Sequence, residues 1–238
     1  MYAVGMFLEQ KDTENIDRES TMNRQNKNVL IKRSIAAGFL FICGVVLLYR
    51  VGVVYETNPL PMDEKIQELF FSLRGSFFDP LVIGITHLGD PITIIALCII
   101  LLVLPWRKTF GVPVSLGALA GLAVYKPMKH MFLRARPDVT LHMVEQGGYS
   151  FPSGHSVTSV IVYGLLFYLI RRYCRDENLR NILSSVCLLL AIAIGPSRIY
   201  VGVHWPSDVL AGWCIGGIIL LLVITVIEKL GEKNETIQ

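Results

Sequence analysis

Three polar segments at the ends of long apolar runs contain the residue types that could do chemistry. They are Lys129–Pro137, Pro152–His155 and Ser197–Asp208. Together they supply cationic side chains, imidazoles, a serine and a carboxylate, which are groups that can hold a phosphoryl group and transfer it to a nitrogen nucleophile. Because ionisable groups are expensive at membrane depth, their position beside apolar runs indicates function.

The segment Pro152-Ser153-Gly154-His155 lies directly before an apolar run and therefore predicts the start of a helix. A helix N-terminus offers free backbone N–H groups and a partial positive charge, which suit a phosphate. Gly154 allows an anion to approach the backbone closely. Ser153 can cap the helix, donate a hydrogen bond to a phosphate oxygen, or do both, and His155 is expected to face the same pocket.

The second histidine, His204, is followed four positions later by a carboxylate, Asp208. Pro206 and Asp208 are both favoured in the first turn of a helix, so a helix is predicted to begin here. The two side chains can then share one face if helical geometry reaches back to His204. A carboxylate that accepts a hydrogen bond from one ring nitrogen makes the other more basic, so His204 is the candidate nucleophile and Asp208 its orienting partner.

Three cations of these segments, Lys129, Arg136 and Arg198, could surround the non-bridging oxygens of a phosphate. Arginine offers a planar fork that matches phosphate, and lysine adds a point charge. Fixed cations and N–H donors lower the barrier as negative charge builds on those oxygens. No cluster of Asp and Glu suited to magnesium lies near these residues in the sequence, so we expect neither a metal nor another cofactor.

The composition indicates an integral membrane protein of one domain. Of 238 residues, 53% are hydrophobic and only 17% are charged, which is more apolar than a soluble domain of this size. The net charge of +3 comes without a nucleic-acid reader motif, so no nucleic-acid partner is expected. Four of the five cysteines lie inside apolar runs, which favours packing over disulfide or zinc chemistry.

Six apolar runs predict an all-α fold, a bundle of six transmembrane helices over residues 34–230. The minimum extents of the runs are Ser34–Val54, Pro91–Leu104, Val112–Tyr125, Ser156–Ile170, Ile182–Ile194 and Val209–Ile227. Residues 1–33 are polar and are predicted to form a disordered cytoplasmic tail. Residues 231–238 are predicted to form a second, short cytoplasmic tail.

Residues 56–90 interleave charged and apolar side chains at helical spacing. This pattern fits either an amphipathic helix on the membrane surface or a helix packed over the mouth of the bundle. If the N-terminus is inside, most of the 22 Lys and Arg residues fall in cytoplasmic segments, as the positive-inside rule requires. Both termini are then cytoplasmic, and the three polar segments lie with residues 56–90 on the outer side of the plasma membrane.

The three segments, in their order and spacing, closely resemble the signature of the type-2 phosphatidic acid phosphatase superfamily, over about residues 85–227. The resemblance implies a bacterial membrane lipid phosphate phosphatase with six spans and an outward-facing site. It implies that His204 attacks phosphorus to give a phosphohistidine, that Asp208 orients it, and that His155 protonates the leaving group and later helps to activate water. The phosphate ligands that it implies are Lys129, Arg136, Ser153, Gly154 and Arg198.

The expected partner is a membrane lipid phosphate held in the lipid bilayer, with no obligatory protein partner. Undecaprenyl diphosphate, phosphatidylglycerophosphate and phosphatidate all fit, and a phosphotransferase fits as well. A rival hypothesis is a catalytically silent lipid transporter or membrane scaffold on the same bundle. His87, His130 and His142 match no position of the signature and are expected to pack or to lie at the surface, while Lys126 and Arg134 are expected in a solvated loop.

Overall fold

The computed structural model describes residues 28–235, and this part of the chain is helical, with no β-strand. Its helices are α1 Asn28–Val54, α2 Pro61–Ser72, α3 Phe78–His87, α4 Pro91–Val103, α5 Val112–Phe132, α6 Gly154–Tyr173, α7 Glu177–Tyr200 and α8 Pro206–Glu235. The all-α prediction is therefore confirmed. α1 ends in a π-helical turn, and a second π-helical turn, Arg107–Gly111, precedes α5.

Five helical segments are long and apolar enough to cross a membrane, namely α1, α5 with its preceding π-helical turn, α6, α7 and α8. α3 and α4 meet at an angle of 52° and form a sixth, bent span when they are counted together. The bend falls at Asp90, whose extended backbone (ψ 146°) is the conformation that the following Pro91 favours. The six predicted spans are thus present, and the short run at Pro91–Leu104 is extended by the apolar stretch before it.

The first and last helices differ from the predicted boundaries. α1 begins at Asn28, so residues 28–33 of the predicted N-terminal tail are helical, because the helix continues through the polar residues before the apolar run. At the other end α8 continues to Glu235, into the predicted C-terminal tail. The rest of the two predicted tails, residues 1–27 and 236–238, lies outside the described residues.

Helix α6 lies at the centre of the bundle and contributes half of the buried residues of the largest apolar core. Helices that share a membrane cannot rely on water to drive them together, so close backbone approach matters more. A Cβ at Gly117 of α5 would lie 2.7 Å from Leu165 of α6, and one at Gly216 of α8 would lie 2.7 Å from the Val157 carbonyl oxygen. Glycine at these two positions therefore allows α5 and α8 to approach α6 closely.

Helix α2 turns polar residues toward the bundle and apolar residues outward. Asp63 is fully buried, whereas Leu69 is 61% exposed. The helix packs against α7 and α8, and Asp63 accepts hydrogen bonds from the Ser207 N–H across 2.8 Å and from the Ser207 hydroxyl across 2.7 Å. Of the two arrangements that the sequence left open for this region, these contacts favour a helix packed over the mouth of the bundle.

Candidate active site

The ends of four helices meet at one end of the bundle and bring the three polar segments together. Arg136 follows α5, His155 lies in the first turn of α6, Arg198 lies in the last turn of α7, and His204 lies between α7 and α8. Arg136 Nη1 is 3.1 Å from His204 Nε2, although the two residues are 68 positions apart. The segments therefore converge as their places at the ends of apolar runs predict.

His204 and Asp208 form the pair that their spacing predicts, with His204 Nδ1 3.2 Å from Asp208 Oδ2. Arg136 donates to Nε2 on the other side of the ring, so the hydrogen-bond network assigns the proton to Nδ1 and a lone pair to Nε2. Burial and the positive charges of Arg136, Lys129 and Arg198 hold the pKa of His204 well below its ordinary range. The imidazole is consequently neutral at neutral pH, which is the form that a nucleophile requires.

Asp208 is fully buried and is fixed by donors from three other parts of the chain. Arg134 Nη1 donates to Oδ1 across 2.6 Å. The Trp205 N–H donates to Oδ2 across 2.9 Å, and the Ser150 hydroxyl donates to the same oxygen. Charge-assisted bonds of this kind hold a carboxylate in one position, so Asp208 can in turn hold the His204 ring in one orientation.

Arg134 is a fully buried cation, and the expectation that it lies in a solvated loop is wrong. Its guanidinium bridges two buried carboxylates, Asp208 and Asp63, the latter at 2.8 Å from Nη2. Its other hydrogen bonds go to the Ser207 hydroxyl and to the carbonyls of Thr57 and Asn58. A buried ion pair is tolerated only when its hydrogen bonds are satisfied, and here Arg134 joins α2 to the start of α8 directly behind His204.

Lys129 and Arg136 donate hydrogen bonds to backbone carbonyls of the loop before α6. Lys129 Nζ donates to Tyr149 O across 2.7 Å and to Ser150 O across 3.1 Å. Arg136 donates to Gly148 O across 2.9 Å and to the carbonyls of Gly147, Tyr149 and Val203. Burial lowers the pKa of Arg136 to about 10, so it stays charged at neutral pH.

Arg198 is 1% exposed and has an unused donor. Its Nη1 donates to the Thr86 hydroxyl across 2.8 Å, and its Nη2 donates to Gln146 Oε1. Its buried Nε has no hydrogen-bond partner among the residues that the structure describes. A buried N–H without an acceptor is costly in a native protein, and this one fits an anionic ligand beside the site.

Ser153 and Gly154 lie at the start of α6 as predicted, and their contacts are those of a helix cap and of close helix packing. Ser153 is fully buried, and its hydroxyl caps the helix by accepting from the Ser156 N–H and from the Ser156 hydroxyl, the latter across 2.9 Å. A Cβ at Gly154 would lie 2.8 Å from the ring of Tyr125. Glycine is thus needed here so that α5 and α6 can approach, whether or not its N–H also meets an anion.

His155 is paired with the carboxylate of Asp90, which lies between α3 and α4. His155 Nε2 lies 2.8 Å from Asp90 Oδ1, and His87 Nδ1 lies 2.7 Å from Asp90 Oδ2. His87 was expected to pack or to lie at the surface, and its side chain is 56% exposed. One carboxylate therefore bridges a histidine of the site and a histidine at the surface.

A cavity of about 560 Å³ extends from these residues along the bundle. Its ionisable lining residues are Asp90, Lys129, Arg136, Glu145, His155 and His204, and its apolar lining includes Ile94, Ile95, Ile99 and Leu102 of α4 and Ala118, Leu119 and Leu122 of α5. Gly154 also lines the cavity, whereas Ser153, Arg198 and Asp208 are not among its lining residues. The site is thus the charged end of an apolar cavity. Within residues 28–235, no group of three or more His, Cys, Asp and Glu side chains is arranged to hold a metal ion.

The histidines outside the predicted set make structural contacts, as expected. His130 meets the Tyr149 ring edge to face, with the ring centroids 5.8 Å apart, and His142 Nε2 lies 3.1 Å from Pro137 O. The residues that sequence reasoning missed are hydrogen-bond partners of the site residues rather than members of a motif. They are Asp63, Asp90, Arg134, Gln146, Ser150 and Ser207.

The chain was compared with known proteins by family and by structure. The family model described as the PAP2 superfamily matches residues 110–232. Phosphatidylglycerophosphatase B of Bacillus subtilis (strain 168) is 30% identical over 172 residues, which cover 71% of this chain and 84% of that protein. Undecaprenyl-diphosphatase of Sulfolobus acidocaldarius is 25% identical over 151 residues, which cover 61% of this chain and 69% of that protein.

A solved structure of a PAP2-type phosphatase has the same fold as this chain. The transmembrane PAP2-type phosphatidylglycerolphosphate phosphatase of Bacillus subtilis superposes with a TM-score of 0.70 at 26% identity, covering 81% of this chain and 96% of the other. The matched family region contains the three polar segments and the ends of α5 to α8 that carry them. The chain belongs to the PAP2 superfamily and is a multi-pass membrane lipid phosphatase.

Proposed function

We propose that this phosphatase removes phosphate from a lipid phosphomonoester or diphosphate through a phosphohistidine formed on His204. The observation that carries the proposal is the state of the His204 ring. Its Nδ1 is tied to Asp208, while its Nε2 keeps a lone pair beside Arg136 at the charged end of an apolar cavity. A neutral, oriented imidazole among fixed cations is what nucleophilic attack on phosphorus requires.

In the first step, the lone pair of His204 Nε2 forms a bond to phosphorus while the bond from phosphorus to the leaving oxygen breaks. His155 gives its proton to that oxygen. The ring of His204 becomes positively charged, and Asp208 stabilises it through Nδ1–H. Lys129, Arg136 and Arg198 attract the phosphoryl oxygens, on which negative charge concentrates in the transition state. The unused Nε–H of Arg198 becomes satisfied when an anion is bound.

In the second step, water attacks the phosphohistidine, and the bond between phosphorus and Nε2 breaks. His155, now neutral, takes the proton of the attacking water. The pair of electrons returns to Nε2, and inorganic phosphate leaves. Both histidines are then in their starting states, so the cycle consumes one water and requires no other reactant.

The shape of the cavity favours a substrate with a long apolar tail. The lining residues of α4 run from Ile94 to Leu102, which spans about 12 Å of helix. A lipid can place its phosphate among the cations and its first carbons along α4 and α5 without leaving an apolar environment. Undecaprenyl diphosphate, phosphatidylglycerophosphate and phosphatidate meet this requirement, and the names of the relatives include the first two classes.

We further propose that the site faces the outside of the plasma membrane, that both termini are cytoplasmic, and that the reaction needs no metal. The distribution of Lys and Arg supports this orientation. The number of histidine, arginine and lysine groups in the site supports metal-independent chemistry, because these groups supply both the nucleophile and the charge stabilisation.

The test is phosphate release from the three lipids in detergent with excess chelator. His204→Ala should abolish release, while His130→Ala, a matched change in an exposed histidine outside the site, should leave it unchanged. Vanadate, which mimics pentacoordinate phosphorus, should inhibit the wild type. Equal turnover by His204→Ala would refute the phosphohistidine. Loss of wild-type turnover in chelator would refute metal independence.

A further inference from the structure

Asp90 occupies the N-cap position of α4 without acting as a cap. Aspartate is favoured at this position because its carboxylate accepts hydrogen bonds from the first turn of the helix. Here the side chain makes no such bond. Both of its oxygens are used by imidazoles instead, Oδ1 by His155 and Oδ2 by His87. The Asp90 side chain therefore does not cap α4, and one of its oxygens contacts His155 instead.

The two carboxylates near the histidines have different electrostatic surroundings. Asp208 shares its charge with the buried guanidinium of Arg134, 2.6 Å away. Asp90 is 32% exposed in its side chain, and its ion-pair partners among the described residues are the two histidines. Asp208 thus shares one guanidinium with Asp63, whereas the charge of Asp90 is paired with imidazoles alone and is available to an imidazolium.

His155 needs such a partner because it lies among cations. Lys129 of α5 and Arg198 of α7 both act on it through their charges, and it shares the lining of the cavity with Arg136 and His204. An imidazolium placed here is repelled by Lys129 and Arg198, and Glu145 also lines the cavity. The nearest opposite charge is Asp90, 2.8 Å from Nε2, on the turn between α3 and α4.

The geometry points to Asp90 as a positioning residue that orients His155 and favours its protonated form for leaving-group departure. This inference rests on the proposed role of His155 as the acid. Asp90 holds the Nε2–H, which leaves Nδ1 as the nitrogen that serves the substrate. The Nδ1 proton moves to the leaving oxygen as its bond to phosphorus breaks, and Nδ1 takes a proton back from the attacking water in the second step. His87 holds the second oxygen of Asp90 and so fixes the direction of the first.

The test compares two leaving groups. Dodecyl phosphate expels an alkoxide, which needs a proton from an acid, whereas 4-nitrophenyl phosphate expels a phenolate, which does not. In Asp90→Asn the shape and one acceptor remain and the charge is lost. We expect kcat for dodecyl phosphate to fall about 100-fold and kcat for 4-nitrophenyl phosphate to fall less than about threefold, with KM for both unchanged.

The pH profile gives a second readout that a merely structural role would not move. Activity at high pH requires His155 to remain protonated, and a carboxylate in contact favours that form. Removing the charge should shift the alkaline limb of kcat for dodecyl phosphate to lower pH by about one unit or more. Asp90→Glu, which keeps the charge, should retain the wild-type position of this limb. His87→Asn retains a donor near the place of Nδ1 and should retain more activity than His87→Ala.

The matched control is Asp176→Asn, which alters the N-cap carboxylate of α7 at the other end of that helix from Arg198. It should change neither the leaving-group ratio nor the pH profile. Equal losses for both substrates in Asp90→Asn, with an unmoved alkaline limb, would overturn the inference. If Asp90→Asn does not fold, as judged by size exclusion and vanadate binding, the pH profile of Asp90→Glu decides. A wild-type alkaline limb supports the inference, and a limb moved to lower pH overturns it. Failure of the proposed function is separable, because wild-type protein would then show no turnover that depends on His204.

Discussion

Arg134→Lys is the change that most directly tests the buried ion cluster behind His204. It keeps the positive charge and most of the side-chain volume, but it replaces a planar fork by a point donor. The guanidinium makes five hydrogen bonds, to Asp63, Asp208, Ser207, Thr57 and Asn58. An ammonium has about three donors, so about two of these five acceptors lose their partner.

The expected loss of stability follows from this count. A buried polar group without a partner costs about 1–3 kcal/mol, so two of them give about 4 kcal/mol. In a chain of this size that corresponds to a fall in Tm of about 10 °C. The activity should fall as well, because Asp208 is no longer fixed and a small displacement of His204 is costly to the reaction. We expect kcat to drop at least about tenfold with little change in KM.

The assay measures thermal unfolding in a mild detergent and then turnover of dodecyl phosphate well below both transitions. Arg180→Lys is the matched control, since Arg180 forms a looser ion pair with Glu177 at 3.8 Å, and the Glu177 side chain is 78% exposed. It should shift Tm by about 1–2 °C at most, because exposed pairs contribute little. An Arg134→Lys variant with the Tm and kcat of the wild type would refute the reasoning that the fork of Arg134 positions Asp208.

Two further predictions concern the nucleophile and the cavity. The pKa of His204 is held below its ordinary value by burial and by nearby cations, so activity is lost only when the pH falls below about 6.5. Arg136→Gln removes one of these cations and should move the acid limb of the kcat/KM pH–rate profile to higher pH. An unmoved limb would contradict the charge effect. Ala118→Phe fills the apolar cavity beside α4. It should lower kcat/KM for dodecyl phosphate about tenfold or more and leave kcat/KM for 4-nitrophenyl phosphate unchanged. Equal effects on both substrates would show that the cavity does not hold the tail.

The parts of the structure that the sequence predicts are those set by local spacing. The apolar runs predict the spans because a helix must be long enough to cross the bilayer. The spacing of His204 and Asp208 predicts their contact, and the side chains meet even though His204 precedes the first helical residue, Pro206. Pro152–His155 predicts the start of α6 through the capping preference of Ser153, and α6 does begin at Gly154.

The parts that the sequence does not predict depend on contacts between distant positions. Arg134 lies in a basic stretch, and nothing near it indicates burial. Its carboxylate partners Asp63 and Asp208 are 71 and 74 positions away. Asp90 has a local signal, because Gly89-Asp90-Pro91 predicts a turn, and the turn is present. Its pairing with His155, 65 positions later, follows only from the packing of the α3–α4 turn against α6.

The charges of the site divide into two layers, and the division explains why an anion is drawn to the second. In the layer behind His204, Arg134 is balanced by Asp63 and Asp208. In the second layer, which contains Lys129 and Arg136 of the cavity lining together with Arg198, hydrogen bonds of the cations go to neutral acceptors: backbone carbonyls for Lys129 and mainly for Arg136, and a hydroxyl and an amide for Arg198. These bonds place no carboxylate in contact with the three cations, since within residues 28–235 the ion pairs with carboxylates involve other residues. Cations without a paired carboxylate in a partly desolvated pocket attract a phosphate, and the same cations favour the neutral form of His204.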